Sequence, residues 1–249
     1  MAHAQTLEVG KFYKIGIIFG EQTEPARVQE SCPMATQGDN LDLYLKPTFV
    51  IDSDSALVKE KAALLTEKST SQREKAKVLF YFVRDEKRYI PYPPISIEGY
   101  RASETLQRRE GYCVQKAILL TSLARAVGIS SRLGFADIRN HLAPKELTAM
   151  MGTNLFVYHG YSELWMNDNW VKATPAFDSE MCNKFDIKPV EFDGIEDAIF
   201  HGRNRKGELH IEYVSYHGTY ADLPFEKIVQ AFIDHYPIAS KKIKQFKQS

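Results

Sequence analysis

Two side chains in this sequence have the chemistry of a nucleophile and its base. Cys113 stands at the front of "REGYCVQKAILLTSLARAVGI", a stretch that reads as a helix beginning at the cysteine. A thiol attacks poorly until it ionises. The unfilled N–H groups and positive dipole end of a helix start favour an anion and lower a cysteine pKa. The same N–H groups, that of Cys113 included, can hold an oxyanion. Gly111, two residues earlier, allows a tight entry and close approach of a substrate backbone. A free cysteine is equally at home as a small buried hydrophobe, so a second element has to decide. That element is His159, inside "TNLFVYHGYSELWMNDNWVKATPAFD", which reads as a β-hairpin with "NDN" at its tip. Strand alternation puts His159 on one face with Tyr161, Glu163 and Trp165. An imidazole there takes the thiol proton and later delivers it to the leaving group.

The elements that must position these two residues are legible around them. In the cysteine helix, Ala117, Leu120, Ala124 and Val127 form an apolar stripe widened by Leu119 and Leu123, and Gly128 marks its end. Upstream, Asp52 or Asp54 caps a helical segment that runs to about Glu67, and Ser71 with Glu74 forms a capping-box pattern. After it, Ala76, Leu79, Phe80 and Val83 recur at helical spacing. "RYIPYPP", from Arg88 to Pro94, is barred from helix by its prolines and reads as an extended stretch that could line a groove. The segments "KFYKIGIIFG" and "LDLYLKPTFVI" read as extended, with "TQGDN" as turn material between them. "SSRLGFADI" and "GELHIEYVSY" read as strands, and "LPFEKIVQAFIDHY" as an amphipathic helix from about Pro224.

With these residues in view, the sequence resembles the transglutaminase-like superfamily, which includes transglutaminases, peptide N-glycanases and bacterial transglutaminase-like cysteine proteases. The family pattern is a glycine-x-cysteine opening a long helix, then a strand H-A-W-x-E-x, a short turn, W-V, and a D-P-T-like end. Here it stands as "GYCVQKAILLTSLARAVGISSRL" and "HGYSELWMNDNWVKATPAF", within about residues 72–180. The resemblance implies an α+β fold with a papain/transglutaminase-like core: a cysteine-bearing helix packed on an antiparallel β-sheet. It carries over Cys113 as nucleophile and His159 as base. The family's third residue, an imidazole-orienting aspartate, aligns with Thr174, which cannot carry the charge. Strand parity offers a substitute. With the hairpin tip at Asp168–Asn169, His159 faces Asp178; with the tip at Asn167–Asp168, it faces Ala176 and has Thr174 and Asp178 as diagonal neighbours. Asp178 is therefore the expected charged orienter and Thr174 the neutral alternative. Gln107 lies six residues before Cys113, the offset at which papain-like enzymes place an oxyanion-hole glutamine, but the resemblance does not require it and it reads more readily as an ordinary exposed helix or loop residue. Glu163 reads as a sheet-face carboxylate paired with Lys172.

The totals narrow the rest. The 249 residues carry 32 Lys plus Arg and 32 Asp plus Glu, a zero formal charge that argues against a nucleic-acid partner. Three cysteines, Cys32, Cys113 and Cys182, are too few and odd for a disulfide framework. The sequence shows no zinc motif, and the acidic "EFDGIEDA" lacks the spacing of a calcium loop, so no metal or other cofactor is expected. Asp137, Asn140 and His141 can approach the site from the next strand or form a polar turn. The opening "MAHAQTLEVG" lacks the regions of a secretory signal, and no apolar run reaches membrane-spanning length, so a cytoplasmic location without membrane contact is expected. The basic tail "SKKIKQFKQS" reads as a solvated helix end. The expected organisation is one transglutaminase-like domain over residues 1–249: a β-rich extension to about residue 50, a catalytic core over about 72–180, and an α/β elaboration over about 181–249. The expected chemistry is acyl transfer from a peptide or protein amide through a thioester. Hydrolysis is favoured over amine transfer, and the alternative is a peptide-binding module without catalysis.

Overall fold

The protein is described by a computed structural model covering residues 40–94 and 96–237. "KFYKIGIIFG", Cys32 and the basic tail lie outside the described residues. In chain order the elements are α1 (Ala56–Thr66), α2 (Gln72–Glu86), β1 (Arg88–Tyr89), α3 (Ala102–Gln107), β2 (Glu110–Gly111), α4 (Cys113–Ala126), β3 (Ser131–Asn140), α5 (Lys145–Met151), β4 (Leu155–Met166), β5 (Asn169–Ala173), α6 (Ser179–Lys184), β6 (Ile211–Tyr220) and α7 (Phe225–His235). The main sheet runs β5–β4–β3–β6 with every neighbouring pair antiparallel, and α4 packs against β4 and β3. The fold is α+β, a cysteine-bearing helix on an antiparallel sheet.

The helix ends follow local chemistry. Ser71 accepts from Glu74 N at 3.2 Å, while the Glu74 carboxylate turns back to Thr70 N at 2.7 Å. Ala76, Leu79, Phe80 and Val83 are all buried, as their spacing predicts. At α1 the cap is Ser55, which accepts from Val58 N at 3.4 Å, rather than Asp52 or Asp54. Asp52 is instead engaged by Arg101 and by Ser103 N at 3.0 Å, so its carboxylate has long-range partners that local sequence does not reveal. Leu41–Leu45, expected as part of a strand, is a 3₁₀ turn. It is held by side chains, with Tyr44 edge-on to Trp170 at 5.0 Å and the Leu41 carbonyl accepting from Ser130 Oγ at 3.1 Å.

The hairpin of β4 and β5 has a two-residue tip at Asn167–Asp168, with φ of 49° and 61°. Met166 faces Asn169 and Trp165 faces Trp170. Two consecutive left-handed residues match the strand twist, and short polar side chains tolerate that backbone.

Helix α4 is buried from Cys113 to Arg125 on all sides, so it is a core helix and not an amphipathic one. Its stripe extends round the whole circumference, and Val127 lies just past its end, only partly buried. The polar residues it carries must find partners inside. Ser162 Oγ donates to Ala117 O at 2.9 Å and accepts from Thr121 Oγ1 at 3.1 Å. Arg125 bonds the carbonyls of Lys46, Ser131 and Ala221 at 2.6, 2.8 and 2.7 Å. Lys116, fully buried, donates to the carbonyls of Arg84, Lys87 and Ala176 at 2.9, 2.6 and 2.6 Å. Replacing Lys116 by Met fills the volume but strands three carbonyls in the interior. The expected cost is about 3 kcal/mol or more, read as a lowered urea midpoint; an unchanged midpoint would show that the ammonium contributes no net stability.

Candidate active site

Cys113 is the first residue of α4, with Tyr112 extended before it at φ −89° and ψ 174°. No Ser, Thr, Asp or Asn caps this start. The Gln115 side chain takes over: its Oε1 accepts from Tyr112 N at 3.1 Å, and its Nε2 donates to Gly99 O at 2.9 Å. "RYIPYPP" runs alongside. Tyr89 pairs with Gly111 in the parallel β1–β2 ladder, and Ile90 N donates to Gly111 O at 3.2 Å. Gly111 has no steric need to be glycine, since an added Cβ would meet its neighbours at 3.5 Å, an ordinary contact. The close approach lies at Gly160, where a Cβ would stand 2.8 Å from Val114 Cγ2 and 3.0 Å from Val114 Cα. This is where the strand carrying His159 meets the start of the cysteine helix.

The backbone N–H groups of Gly160 and Val114 interact with the Cys113 sulfur and favour its thiolate, as does the charge of Lys116 one turn on. Burial outweighs them. Cys113 is only 9% exposed, and desolvation pushes its thiol up to about 11. The lowered pKa expected from the helix start alone is therefore not what the free protein shows. Phenols of Tyr89, Tyr100, Tyr112, Tyr213 and Tyr236 all feel the charge of this sulfur. An anion there is largely shielded from water.

His159 is 3% exposed, opposite Ala136 on β3, with its ring 4.9 Å from that of Phe200 and 6.5 Å from that of Tyr213. Burial pushes its imidazole down to about 3. Tyr213 neighbours His159, and its phenol is also influenced by the charge of Cys113. Among the described residues no hydrogen bond joins them, and His159 Nε2 is buried without a partner.

Asp178 is spent elsewhere. Its Oδ1 accepts from Met181 N at 2.8 Å and caps α6, and its Oδ2 accepts from Tyr89 N at 2.8 Å. No hydrogen bond links it to His159. Strand parity does not extend to Asp178, because the hairpin ladder ends at Ala173, where the chain turns to pair with Ala198. Thr174 is fully buried, and its Oγ1, like His159 Nε2, forms no well-made hydrogen bond, although its hydroxyl acts on the Tyr213 phenol. Glu163 does oppose Lys172 in register, but its ion pair is with Arg132 at 2.7 Å, while Lys172 pairs with Asp197 at 2.6 Å. Gln107 donates to Ser103 O at 3.3 Å, inside its own helix. Tyr161 lies across Gly134, and Cys182 is buried, its thiol pushed up to about 11 by burial. In the acidic stretch, Asp193 accepts from Ile195 N and Glu196 N, as in a self-bonded turn, while Glu191 reaches across to Arg84 and Tyr81 on α2.

His141 pairs with Glu212 at 3.2 Å, and Asn140 accepts from Leu142 N at 3.0 Å in a turn. Asp137 bonds His217 Nε2 at 2.6 Å, a pair that motif reading passes over. The available signal was Gly218, a glycine inside a strand pattern and at φ 82° in the structure, which marks a bulge beside His217.

Residues 59–175 match the family model of the Transglutaminase-like superfamily. No curated protein matches the chain. A "putative cysteine protease" from Cytophaga hutchinsonii is similar at 17% identity over 74% of this chain and 55% of its own, with a TM-score of 0.43. A "putative protease" from Parabacteroides distasonis is similar at 22% identity over 54% of this chain and 25% of its own, with a TM-score of 0.36. The periplasmic domain of TgpA from Pseudomonas aeruginosa is similar at 20% identity over 47% of this chain and 41% of its own, with a TM-score of 0.35. The chain thus spans about half the length of the first of these structures and less of the other two. Among the described residues no helix is long and apolar enough to cross a membrane.

Two measurements test this geometry. Labelling of Cys113 by iodoacetamide should rise with a midpoint above the free-thiol value of about 8.5, because burial raises the thiol pKa and leaves less thiolate near neutrality. A midpoint well below it would show that the amides and Lys116 prevail. Gly160→Ala should push β4 off α4, costing about 1–3 kcal/mol in denaturant unfolding; a neutral substitution would refute the close contact.

Proposed function

We propose that this chain, a member of the transglutaminase-like superfamily through residues 59–175, is a cysteine-dependent acyl-transfer enzyme acting on amide bonds of peptides or proteins. The observation that carries the reading is the helix-start sulfur of Cys113 under the amide of Gly160, the residue next to His159. In this reading Cys113 Sγ attacks the carbonyl carbon as its proton passes to His159. The N–H groups of the helix start stabilise the oxyanion, and His159 protonates the departing amine. A thioester remains, and water resolves it in preference to a second amine. Because burial disfavours both charged forms, the thiol and imidazole begin neutral, and proton transfer accompanies attack rather than preceding it.

Asp178 enters as a positioning residue. Its carboxylate ties the start of α6 to Tyr89 N, and Tyr89 is paired with the residues leading into Cys113. Thr174 is the neutral residue at the place where the family carries its aspartate. A cytoplasmic location, with neither nucleic acid nor membrane as partner, belongs to the same reading.

The threonine at 174 and the shielded, uncharged pair favour one alternative, a peptide-binding module. Peptide products, followed by mass spectrometry in a mixture of unstructured substrates with and without a primary amine, separate the two. Cleavage should be abolished by Cys113→Ala and reduced about 100-fold or more by His159→Ala. Peptide binding that survives Cys113→Ala, with no product from the unmodified protein, would establish the binding module instead.

A further inference from the structure

Burial keeps the His159 ring neutral, so it carries one N–H and one lone pair, and the nitrogen that holds the hydrogen decides whether the ring can act as a base. The two nitrogens are not equivalent. Nε2 is sealed inside the protein with no partner, whereas Nδ1, equally unpartnered among the described residues, is not sealed. A proton arriving from the accessible side therefore meets Nδ1. To receive it, Nδ1 needs its lone pair, which requires the hydrogen on Nε2 and an acceptor for that hydrogen in the interior. No carboxylate bonds Nε2, and Asp178 is committed to Met181 N and Tyr89 N.

A second buried atom in the same place is short of a partner. Thr174 is fully buried, and its Oγ1 forms no well-made hydrogen bond. The two residues are bracketed by the same neighbours. Phe200 sets its ring 4.9 Å from that of His159, and two residues before it Ala198 O accepts from Thr174 N at 2.9 Å. Tyr213 holds its ring 6.5 Å from that of His159, and its Oη accepts from Phe200 N at 3.3 Å. Strand pairing accounts for the approach. Ala136 of β3 opposes His159, Ile138 opposes Tyr213, and alternation puts Ala136 and Ile138 on one face. Burial pushes the Tyr213 phenol up, and the Phe200 N–H and the Thr174 hydroxyl both oppose that push, as donors to its oxygen do.

We propose that Tyr213 is a positioning residue for His159 and acts through Thr174: its phenol oxygen takes the threonine hydrogen, which leaves Thr174 Oγ1 to accept from His159 Nε2–H. The inference rests on the acyl-transfer reading above. A hydroxyl can donate to an imidazole nitrogen or accept from it, so threonine alone selects no tautomer. Tyr213 makes the selection. With its hydrogen turned to the phenol, the threonine is only an acceptor towards the ring. Nε2 then holds the hydrogen, and Nδ1 presents the lone pair that receives the Cys113 proton. Three uncharged groups do the work of an orienting carboxylate, with no buried ion to desolvate.

Tyr213→Phe keeps the ring and removes the oxygen, and Thr174→Val keeps the volume and removes the hydroxyl. Long-range 1H–15N spectra of histidine-labelled protein read the tautomer of His159, whose signals are those missing from His159→Ala. The unmodified protein should carry the hydrogen on Nε2. Tyr213→Phe should move it to Nδ1, because the released threonine hydroxyl then donates to Nε2. Acetylation of Cys113 by p-nitrophenyl acetate, followed by intact mass, should slow about 10–100-fold in each variant, with no further loss when the two are combined. Hydrogen on Nδ1 in the unmodified protein would by itself overturn the proposal, without any variant having to fold. So would an unmoved tautomer in Tyr213→Phe, or losses that multiply in the double variant. If the unmodified protein is never acetylated at Cys113, the acyl-transfer reading fails and the role of Tyr213 goes with it, whereas normal acetylation with the wrong tautomer sinks this inference alone.

Discussion

A lysine side chain enclosed by protein, its ammonium drawn down to about 7 by burial, is the constraint from which the rest of this architecture follows. Helix α4 has no solvent face along most of its length, so each polar group on it must be answered by the protein itself. Lys116 is answered by two carbonyls at the end of α2 and by that of Ala176, beyond β5. Two parts of the chain distant in sequence are thereby gathered round the first turn of the helix. Arg125 does the same at the opposite end, joining Lys46, Ser131 and Ala221. With both ends pinned, neither the tilt of α4 nor its advance along its axis is free. The place of Cys113, at its tip, is settled by residues that never touch the sulfur.

The site that results is governed by competition between burial and backbone polarity. The amides of Gly160 and Val114 and the charge of Lys116 favour a sulfur anion, and burial removes the water that would solvate it. Burial prevails for both the thiol and the imidazole. A substrate that brings its own polarity into this space alters that competition, because a carbonyl oxygen developing negative charge supplies the counterpart which the helix N–H groups otherwise lack.

Much of this was legible in the sequence. The spacing of Ala76, Leu79, Phe80 and Val83, the Ser71 cap and a hairpin tip within Asn167–Asn169 are local physics, and the structure reproduces them, choosing Asn167–Asp168 of the two registers the sequence left open. Long-range terms were not legible. The field of one helix start would lower the thiol pKa, while the burial that outweighs it is a property of the folded whole that no local stretch of sequence displays. Alternation along the hairpin fails for Asp178 because the ladder ends five residues before it, when the chain leaves for Ala198. His217 and Asp137 are 80 residues apart, and neither lies in a recognisable motif.

The two bonds of the Asp178 carboxylate differ greatly in reach, one spanning three residues and the other 89. The short one forms as soon as the first turn of α6 does, whereas the long one must await closure of a large loop, whose entropy has to be overcome first. The hairpin bearing His159 is local and quick to form by comparison. A chain emerging from its unfolded ensemble therefore acquires the imidazole strand early and the wall beside Cys113 late. In that interval the thiol lacks the burial that later keeps it protonated, so Cys113 is more open to oxidation during maturation than in the mature protein.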